Sequence, residues 1–555
     1  MFQKYIRNIA LAMCLFAVAS LTTAFSDNSR YFELIKNIEV YAAVYQTLNE
    51  YYVDQIEPAA TMRKGIESML KSLDPYTNYI TAADIESYRL EQNETMGFIG
   101  ATILNYNDKM YIGDVSEDLP AFKAGLRAGD QITAINGSPI DKRTVDELKK
   151  ALQGQVDTEV KITYLPNGET APKTVSVSRT REETKAVPHF EMVDEHTGYV
   201  KLTTFMRPDC SQEVYDAIEE LKSKHDLKAL ILDLRGNGGG LLTESVDLVN
   251  IFVPKNQLIV QMKGRVDEYN KDYSTQHEPL ITDLPVAVLV NDRSASASEI
   301  TAGSLQDLDR AIIVGQRSFG KGLVQQTRDI GYGNQFKLTV ARYLTPSGRC
   351  VQAINYAKRY TDEGAAKVPD SLRTAFKTKG GRTVYDGSGV DPDLKVEKKS
   401  SSTLAKTLAE KHLYFDFANQ YQRQHPSITE AKNFALTDTE YNDFVKFVES
   451  KNFEYPTQTE TSIDKLKKMA TREQYDKKVQ DLIAQLSEKV KAEKKRELYT
   501  NKEEIKQQLT QEIIGRYYFQ KGKVEASLST DPEVAEAIKV CKDETRYKSI
   551  LSAKK

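Results

Sequence analysis

Four short strand-like segments dominate the middle of the chain, and this pattern constrains the fold most. They cover 198–202, 229–234, 286–291 and 310–314, and the last three each run into a segment rich in glycine or serine. Apolar runs of this length, separated by stretches with helical spacing, are typical of strands in a sheet packed against helices. The pattern therefore predicts an α/β core over residues 183–398.

The periodicity changes on both sides of this core, and 555 residues are too many for one hydrophobic core. Helical spacing over 26–94 predicts an N-terminal helical region. The β-like runs at 109–115, 131–135 and 159–164, separated by Gly-rich turns, predict a small β domain over 95–182. Residues 399–555 are highly charged, and we expect them to form solvated helices that cover the core. Together these regions predict a multidomain α/β (α+β) fold.

One apolar stripe in the C-terminal region leaves an alternative open. It consists of Val479, Leu482, Ile483, Leu486 and Val490. Such a stripe is also typical of a packed helical domain or of an oligomerisation arm, so a homo-oligomer remains an alternative.

Residues 1–25 have the pattern of a secretory signal. Two basic residues precede an apolar stretch that ends at Leu21, and small residues up to Ala24 offer a cleavage point. An uncleaved anchor is the alternative, whereas the bulky Met13 argues against lipid attachment at Cys14. No second run is long enough to span a membrane. We therefore expect export to the periplasm or cell envelope, with no membrane span in the mature chain.

Charge and cysteine content exclude several partner classes. A formal charge of -3 gives no overall attraction to nucleic acid or acidic lipid. After loss of the signal, Cys210, Cys350 and Cys541 would remain, without metal-type spacing. We expect unlinked thiols, with one disulfide as the alternative, and neither a metal nor a cofactor.

Ser296 lies where an apolar strand passes through small residues into a helix. Free backbone N–H groups and the positive end of the helix dipole at such a junction favour a developing oxyanion. The alternative is that the serines of 294–298 only cap the helix.

Lys321 lies between Gly320 and Gly322 after another apolar strand. Glycine neighbours let the backbone approach closely, so the amine can be enclosed. Only a neutral amine accepts a serine proton, and loss of hydration favours the neutral form. A histidine-based triad is the weaker alternative, because no histidine with a catalytic setting is found among His189, His196, His225 and His277.

The strand at 229–234 ends in the segment 235–240, which is rich in glycine. Its N–H groups could complete an oxyanion hole with the N–H of Ala297. A phosphate-binding loop is the alternative, but the segment lacks both the P-loop ending and the dinucleotide fingerprint.

Residues 31–396 resemble the carboxyl-terminal processing proteases, also called tail-specific proteases, of the Ser–Lys class. The resemblance is carried by short motifs, namely Asp74–Thr77, Gly198–Val200, Asp233–Gly240, Ser294–Ile300, Phe319–Gln325, Thr345–Arg349 and Gly389–Asp393. It implies a catalytic core of the ClpP/crotonase-like type.

The resemblance also implies roles for individual residues. Ser296 matches the nucleophile, and Lys321, which follows it by 25 positions, matches the base. Gln325 matches a glutamine that orients the lysine, one helical or loop turn away. Ala297 with Gly239 or Gly240 would form the oxyanion hole, the choice of glycine staying open.

The stretch 120–137 resembles PDZ domains, which hold the C-terminal residues of proteins or peptides as an added strand. The carboxylate-binding loop should be formed by Gly97, Phe98, Ile99 and Gly100, although the sequence of this loop departs from the usual family pattern. A purely structural PDZ domain is the alternative.

These observations predict an exported serine endopeptidase that recognises the C-terminal tails of its substrates. The competing hypothesis is a catalytically silent PDZ scaffold that only binds peptides. The combination of Ser296, Lys321 and Gln325 disfavours it, because a scaffold has no use for a desolvated lysine beside a serine.

Overall fold

The computed structural model describes residues 30–85, 96–141, 143–181, 185–356, 367–397, 401–451 and 453–552. The expected signal at 1–25 lies outside the described residues. The chain divides into two compact units, one made of 1–82 with 325–339 and the other of 83–324 with 340–555. None of the helices in the described ranges combines the length and apolarity that crossing a bilayer requires.

The first unit contains the predicted N-terminal helices, over 30–51 and Pro58–Lys71. Pro58 opens the second helix, where a missing N–H costs no hydrogen bond. The strand Asn78–Ile80 then pairs antiparallel with residues 335–337. Those residues belong to the strand Asn334–Leu344, which also pairs with the strand Leu323–Gly331.

The β domain begins the second unit and has its own core. Its main sheet has the spatial order Ala101–Tyr106, Lys109–Val115, Gln131–Ile135, Glu159–Leu165 and Lys173–Ser178. Smaller elements are the strands Met96–Gly97, Ser138–Pro139 and Gly154–Gln155 and the helices Pro120–Lys123 and Val145–Leu152. Thr144 and Glu147 form a capping box that fixes the start of the longer helix. The strands predicted at 109–115, 131–135 and 159–164 are confirmed.

The α/β core is built on a six-stranded sheet. Its order is His189–Met192, Thr197–Lys201, Ala229–Asp233, Val286–Val290, Ile312–Gly315 and Leu394–Lys395, parallel except for the first pair. The four predicted strands are confirmed, with the fourth starting two residues later than expected. A second sheet pairs Leu258–Gly264 with Lys271–Ser274 and with residues 341–344, and Ala375–Lys377 pairs with Thr383–Tyr385.

Helices cover both faces of the six-stranded sheet, which explains why its strands are apolar on both sides. One face packs on Cys210–Lys224, Leu242–Asn250 and Ala297–Asp307. The other packs on Pro532–Lys542 and Glu544–Leu551, the last helices of the described chain. These two helices thus complete the core of a sheet whose strands all lie much earlier in the chain.

The other C-terminal helices pack mainly on one another around a separate apolar cluster. They are Thr403–Glu410, Leu413–Gln424, Asp438–Ser450, Gln458–Arg472, Lys477–Thr500 and Lys502–Ser529. The apolar stripe expected on Lys477–Thr500 is divided: Ile483 and Val490 pack towards the preceding helix, whereas Leu482 and Leu486 are exposed. The expectation that helices of 399–555 cover the α/β core is therefore confirmed only for the last two helices, whereas the others form a packed helical domain of their own.

Candidate active site

Ser296 lies in a sharp turn between the strand Val286–Val290 and the helix Ala297–Asp307. Its backbone has φ 56° and ψ -115°, a strained conformation for a residue with a side chain. Two hydrogen bonds to the neighbouring loop hold the turn: the Ser294 hydroxyl donates to the Leu234 carbonyl at 2.8 Å, and the Ala295 N–H donates to the Asn237 carbonyl at 3.0 Å. Strain of this kind persists only where the surroundings enforce it, which favours a functional role for the turn.

Gly239 packs directly against this turn. With φ +92°, a Cβ at Gly239 would lie 2.6 Å from the Ala295 carbonyl oxygen and 2.8 Å from the Ala297 nitrogen. Only glycine allows the two segments to approach so closely.

The backbone amides at this contact differ in their partners. The Gly239 N–H donates to Asn237 Oδ1 at 2.9 Å, whereas the Gly240 N–H has no acceptor among the described residues. Ala297 is the first residue of its helix, so its N–H has no acceptor within the helix. The geometry therefore favours Ala297 with Gly240 as the pair of free donors.

Glu299 connects the serine turn to the lysine loop and is fully buried. Its Oε1 accepts from the Ser318 hydroxyl at 2.5 Å and the Gly320 N–H at 2.7 Å. Its Oε2 accepts from the N–H groups of Ser296 at 3.0 Å and Lys321 at 2.8 Å. Because one oxygen binds both amides, Ser296 and Lys321 are neighbours in space.

Burial also changes the acidity of this carboxyl group. Desolvation raises the pKa of Glu299 to about 7, although the four donated hydrogen bonds favour the charged form.

The Lys321 loop is fixed from its other side by Tyr343. The Tyr343 hydroxyl lies 2.5 Å from the Lys321 carbonyl oxygen and 3.2 Å from that of Ser296. A Cβ on Gly320 would collide with Ala353, and one on Gly322 would lie 2.8 Å from the Gln352 nitrogen. The flanking glycines thus permit close backbone packing, while Lys321 itself is partly exposed.

Gln325 lies in the strand Leu323–Gly331, which excludes the helical turn among the expected alternatives. It belongs to the first unit, where its amide donates to the Thr339 hydroxyl at 3.2 Å. That hydroxyl donates to Asp74 Oδ1 at 3.2 Å. Asp74 also accepts from the N–H groups of Tyr76 and Thr77, which fixes a turn in the motif Asp74–Thr77. The role of Gln325 towards the lysine stays a prediction.

The expected carboxylate loop lies beside the first long strand of the β domain. The N–H of Phe98 is already bound to the Thr180 carbonyl at 2.8 Å, so it is occupied. In the described part of the chain, the N–H groups of Ile99 and Gly100 donate to no acceptor. Gly97 is needed for packing, because a Cβ there would lie 2.7 Å from the Arg179 Cβ.

Arg235 lies behind the glycine loop in a cluster of charged groups. Its guanidinium binds Asp233 at 2.7 Å and Asp531 at 2.7 Å, and it also contacts Glu533. Asp233 is fully buried and accepts from the Tyr199 hydroxyl at 2.6 Å. The start of the helix Pro532–Lys542 therefore binds the first residue of the segment 235–240.

Other candidate groups are placed elsewhere. The His189 ring lies beside Glu191, and the His196 ring lies beside Asp226. Neither ring is paired with the serine turn. Cys210, Cys350 and Cys541 are free thiols, which confirms the expectation of unlinked thiols. Across the described ranges, no group of three or more His, Cys, Asp and Glu residues could hold a metal ion.

Comparison with known proteins identifies the family. The model of peptidase family S41 matches residues 196–361, a PDZ domain model matches 111–165, and a model described as the C-terminal helical domain of a probable PDZ-protease matches 404–541. A carboxy-terminal-processing protease of Bartonella bacilliformis is 31% identical over 353 residues, which is 63% of this chain and 80% of that protein. The chain belongs to the carboxy-terminal-processing protease family, within peptidase family S41.

A second relative of the chain matches over less of its own length. A probable CtpA-like serine protease of Staphylococcus aureus is 33% identical over 317 residues, 57% of this chain, and the chain spans 62% of that protein's length. The solved photosystem II D1 C-terminal processing protease is 24% identical, with 64% of this chain and 86% of that chain covered and a TM-score of 0.37. The family assignment therefore depends on the sequence relatives.

Sequence reasoning missed three residues at the site. Glu299 and Tyr343 bind the backbone of both Ser296 and Lys321, and Arg235 connects the glycine loop to the start of the helix Pro532–Lys542. Glu299 stands in the motif 294–300, so a charged residue at the third position of an apolar helix was a signal that could have been used. Tyr343 carried no such signal, because its neighbours are distant in sequence.

Proposed function

We propose that this chain is an exported serine endopeptidase with Ser296 as nucleophile and Lys321 as general base. The observation that carries the proposal is the shared Oε2 of Glu299, which binds the amides of both residues at 3.0 and 2.8 Å. Membership of the S41 family and the strained φ of Ser296 support the same assignment. Export is supported by the signal-like pattern of residues 1–25.

In the proposed reaction, Ser296 Oγ attacks the peptide carbonyl carbon as its proton passes to the neutral Lys321 amine. The carbonyl oxygen becomes an oxyanion, which the free N–H groups of Ala297 and Gly240 stabilise. Collapse of this intermediate breaks the C–N bond, and Lys321 returns the proton to the leaving amine. Water then releases the acyl group by the same steps, and Gln325 orients the lysine.

Tail recognition belongs to the PDZ domain. A groove of about 350 Å³ lies between residues 101–103 and the end of the helix Val145–Leu152, with the loop 98–100 at one end. The free amides of Ile99 and Gly100 suit a terminal carboxylate, and the strand edge at 101–103 suits an added peptide strand.

The test is cleavage of an unfolded model protein with an apolar C-terminal tail. We expect Ser296→Ala and Lys321→Ala each to abolish cleavage while far-UV circular dichroism stays unchanged. The exposed controls Ser223→Ala and Lys255→Ala should cleave like the wild type. Tail binding without any cleavage by the wild type would instead support the scaffold hypothesis. A tail with an amidated terminus tests whether the free carboxylate is recognised.

A further inference from the structure

A residue from the C-terminal helical region lines the tail-binding groove. Most of the groove is formed by the PDZ domain, but its wall also includes Gln520, which lies on the helix Lys502–Ser529. Residues 114–116 of the PDZ domain lie along the same wall. The groove is therefore assembled from two segments that are far apart in sequence.

A break in the helix brings Gln520 to this position. Phe519 has φ 52° and ψ -152°, a non-helical conformation that is strained for a residue with a side chain. Its ring packs edge-on against Phe122 of the PDZ domain, with centroids 4.9 Å apart, and the Arg127 guanidinium lies 6.0 Å from it. The aromatic contact thus holds the break against the PDZ domain.

Asp114 fixes the orientation of the Gln520 side chain. Gln520 Nε2 donates to Asp114 Oδ2, and the Lys523 ammonium lies 3.1 Å from the same oxygen. The other carboxylate oxygen accepts from the Val115 N–H at 2.9 Å. Within the described residues, the side-chain oxygen Oε1 of Gln520 accepts no hydrogen bond. One acceptor on the groove wall is therefore left for a ligand.

We propose that Gln520 contacts the bound tail and helps to select it, so that specificity is shared between the PDZ domain and the C-terminal helical region. The contact is a hydrogen bond that a tail residue near the terminus donates to the side-chain oxygen Oε1 of Gln520. This inference rests on the proposed tail binding by the groove. It makes Gln520 a specificity-determining residue outside the PDZ domain.

The experiment uses the full chain carrying Ser296→Ala, which prevents cleavage. The probes are fluorescein-labelled ten-residue peptides with a free carboxylate and two apolar terminal residues. They differ only at the third and fourth positions from the end, where Ser or Asn is exchanged for Val. Fluorescence anisotropy gives Kd for the parent, for Gln520→Leu and for the matched control Gln507→Leu, an exposed residue on the same helix.

We expect Gln520→Leu to weaken binding of the Ser and Asn tails about threefold to tenfold and to leave or improve binding of the Val tail. The control should match the parent for every tail. An equal loss for all tails would indicate a structural role and overturn the inference, as would unchanged Kd values. If the parent binds no tail, the proposed tail binding by the groove fails. If the parent binds the tails but Gln520→Leu does not change the preference among them, only the inference about Gln520 fails.

Discussion

At the residue scale, Glu299 is the group on which the candidate site depends. It is fully buried and binds four donors, two on each oxygen, from both halves of the site. A buried carboxylate is stable only when it is satisfied in this way, so the surrounding loops are held by its hydrogen bonds.

We expect Glu299→Gln to lower kcat about tenfold to a hundredfold and the free energy of unfolding by about 1–3 kcal/mol. Glutamine keeps the shape but replaces one acceptor oxygen with a donor NH₂ group, so two N–H or O–H donors lose their partner. Cleavage kinetics and urea unfolding measure both effects. Wild-type kinetics in this variant would show that Glu299 does not hold the site.

The raised pKa of Glu299 also predicts a pH dependence of stability. The carboxyl pKa is about 7 in the folded chain and 4.5 in its ordinary state, so the folded state binds this proton more tightly. The resulting stabilisation is present below pH 4.5 and is lost as pH rises through about 7, with a total of about 3 kcal/mol. Urea unfolding of wild type and Glu299→Gln between pH 4.5 and 8 isolates this change. Parallel curves for the two proteins would contradict it.

At the element scale, the contact between the serine turn and the glycine loop makes one position intolerant of a side chain. We expect Gly239→Ala to reduce cleavage at least a hundredfold and to lower the free energy of unfolding by about 1–3 kcal/mol. The reason is that the added Cβ meets backbone atoms at 2.6–2.8 Å and that φ of residue 239 is +92°. Gly238→Ala is the matched control, since a Cβ there meets nothing within 4 Å. Equal activity of both variants would refute the packing argument.

At the scale of the whole molecule, the last two helices are part of the α/β core. The Tyr547 hydroxyl bonds both the N–H and the carbonyl of Val286, at 2.9 and 3.0 Å, in the strand that leads to Ser296. We expect Tyr547→Phe to lower the free energy of unfolding by about 1–2 kcal/mol, because the buried backbone groups of Val286 lose this partner. Tyr499→Phe, at a tyrosine that is 57% exposed, is the control. Equal unfolding curves would show that the Tyr547 hydroxyl does not contribute to stability.

The sequence by itself determined the elements and the chemistry. Short apolar strands, turn glycines and helical spacing are local signals, so the strands of the PDZ domain and of the α/β core were predicted within about two residues. The motifs around Ser296 and Lys321 identified the candidate site, because their residue types and order are also local. The break at Phe519 had no local signal, since nothing in its neighbours predicts a positive φ.

Only the tertiary structure decided which distant groups meet. It placed Glu299 and Tyr343 between the two candidate catalytic residues, favoured Gly240 over Gly239 as a free donor, and divided the stripe on Lys477–Thr500. It also packed Pro532–Lys542 against the central sheet and Gln520 against the PDZ groove. Burial and hydrogen-bond partners depend on the packing of segments hundreds of residues apart, and no local pattern records that packing.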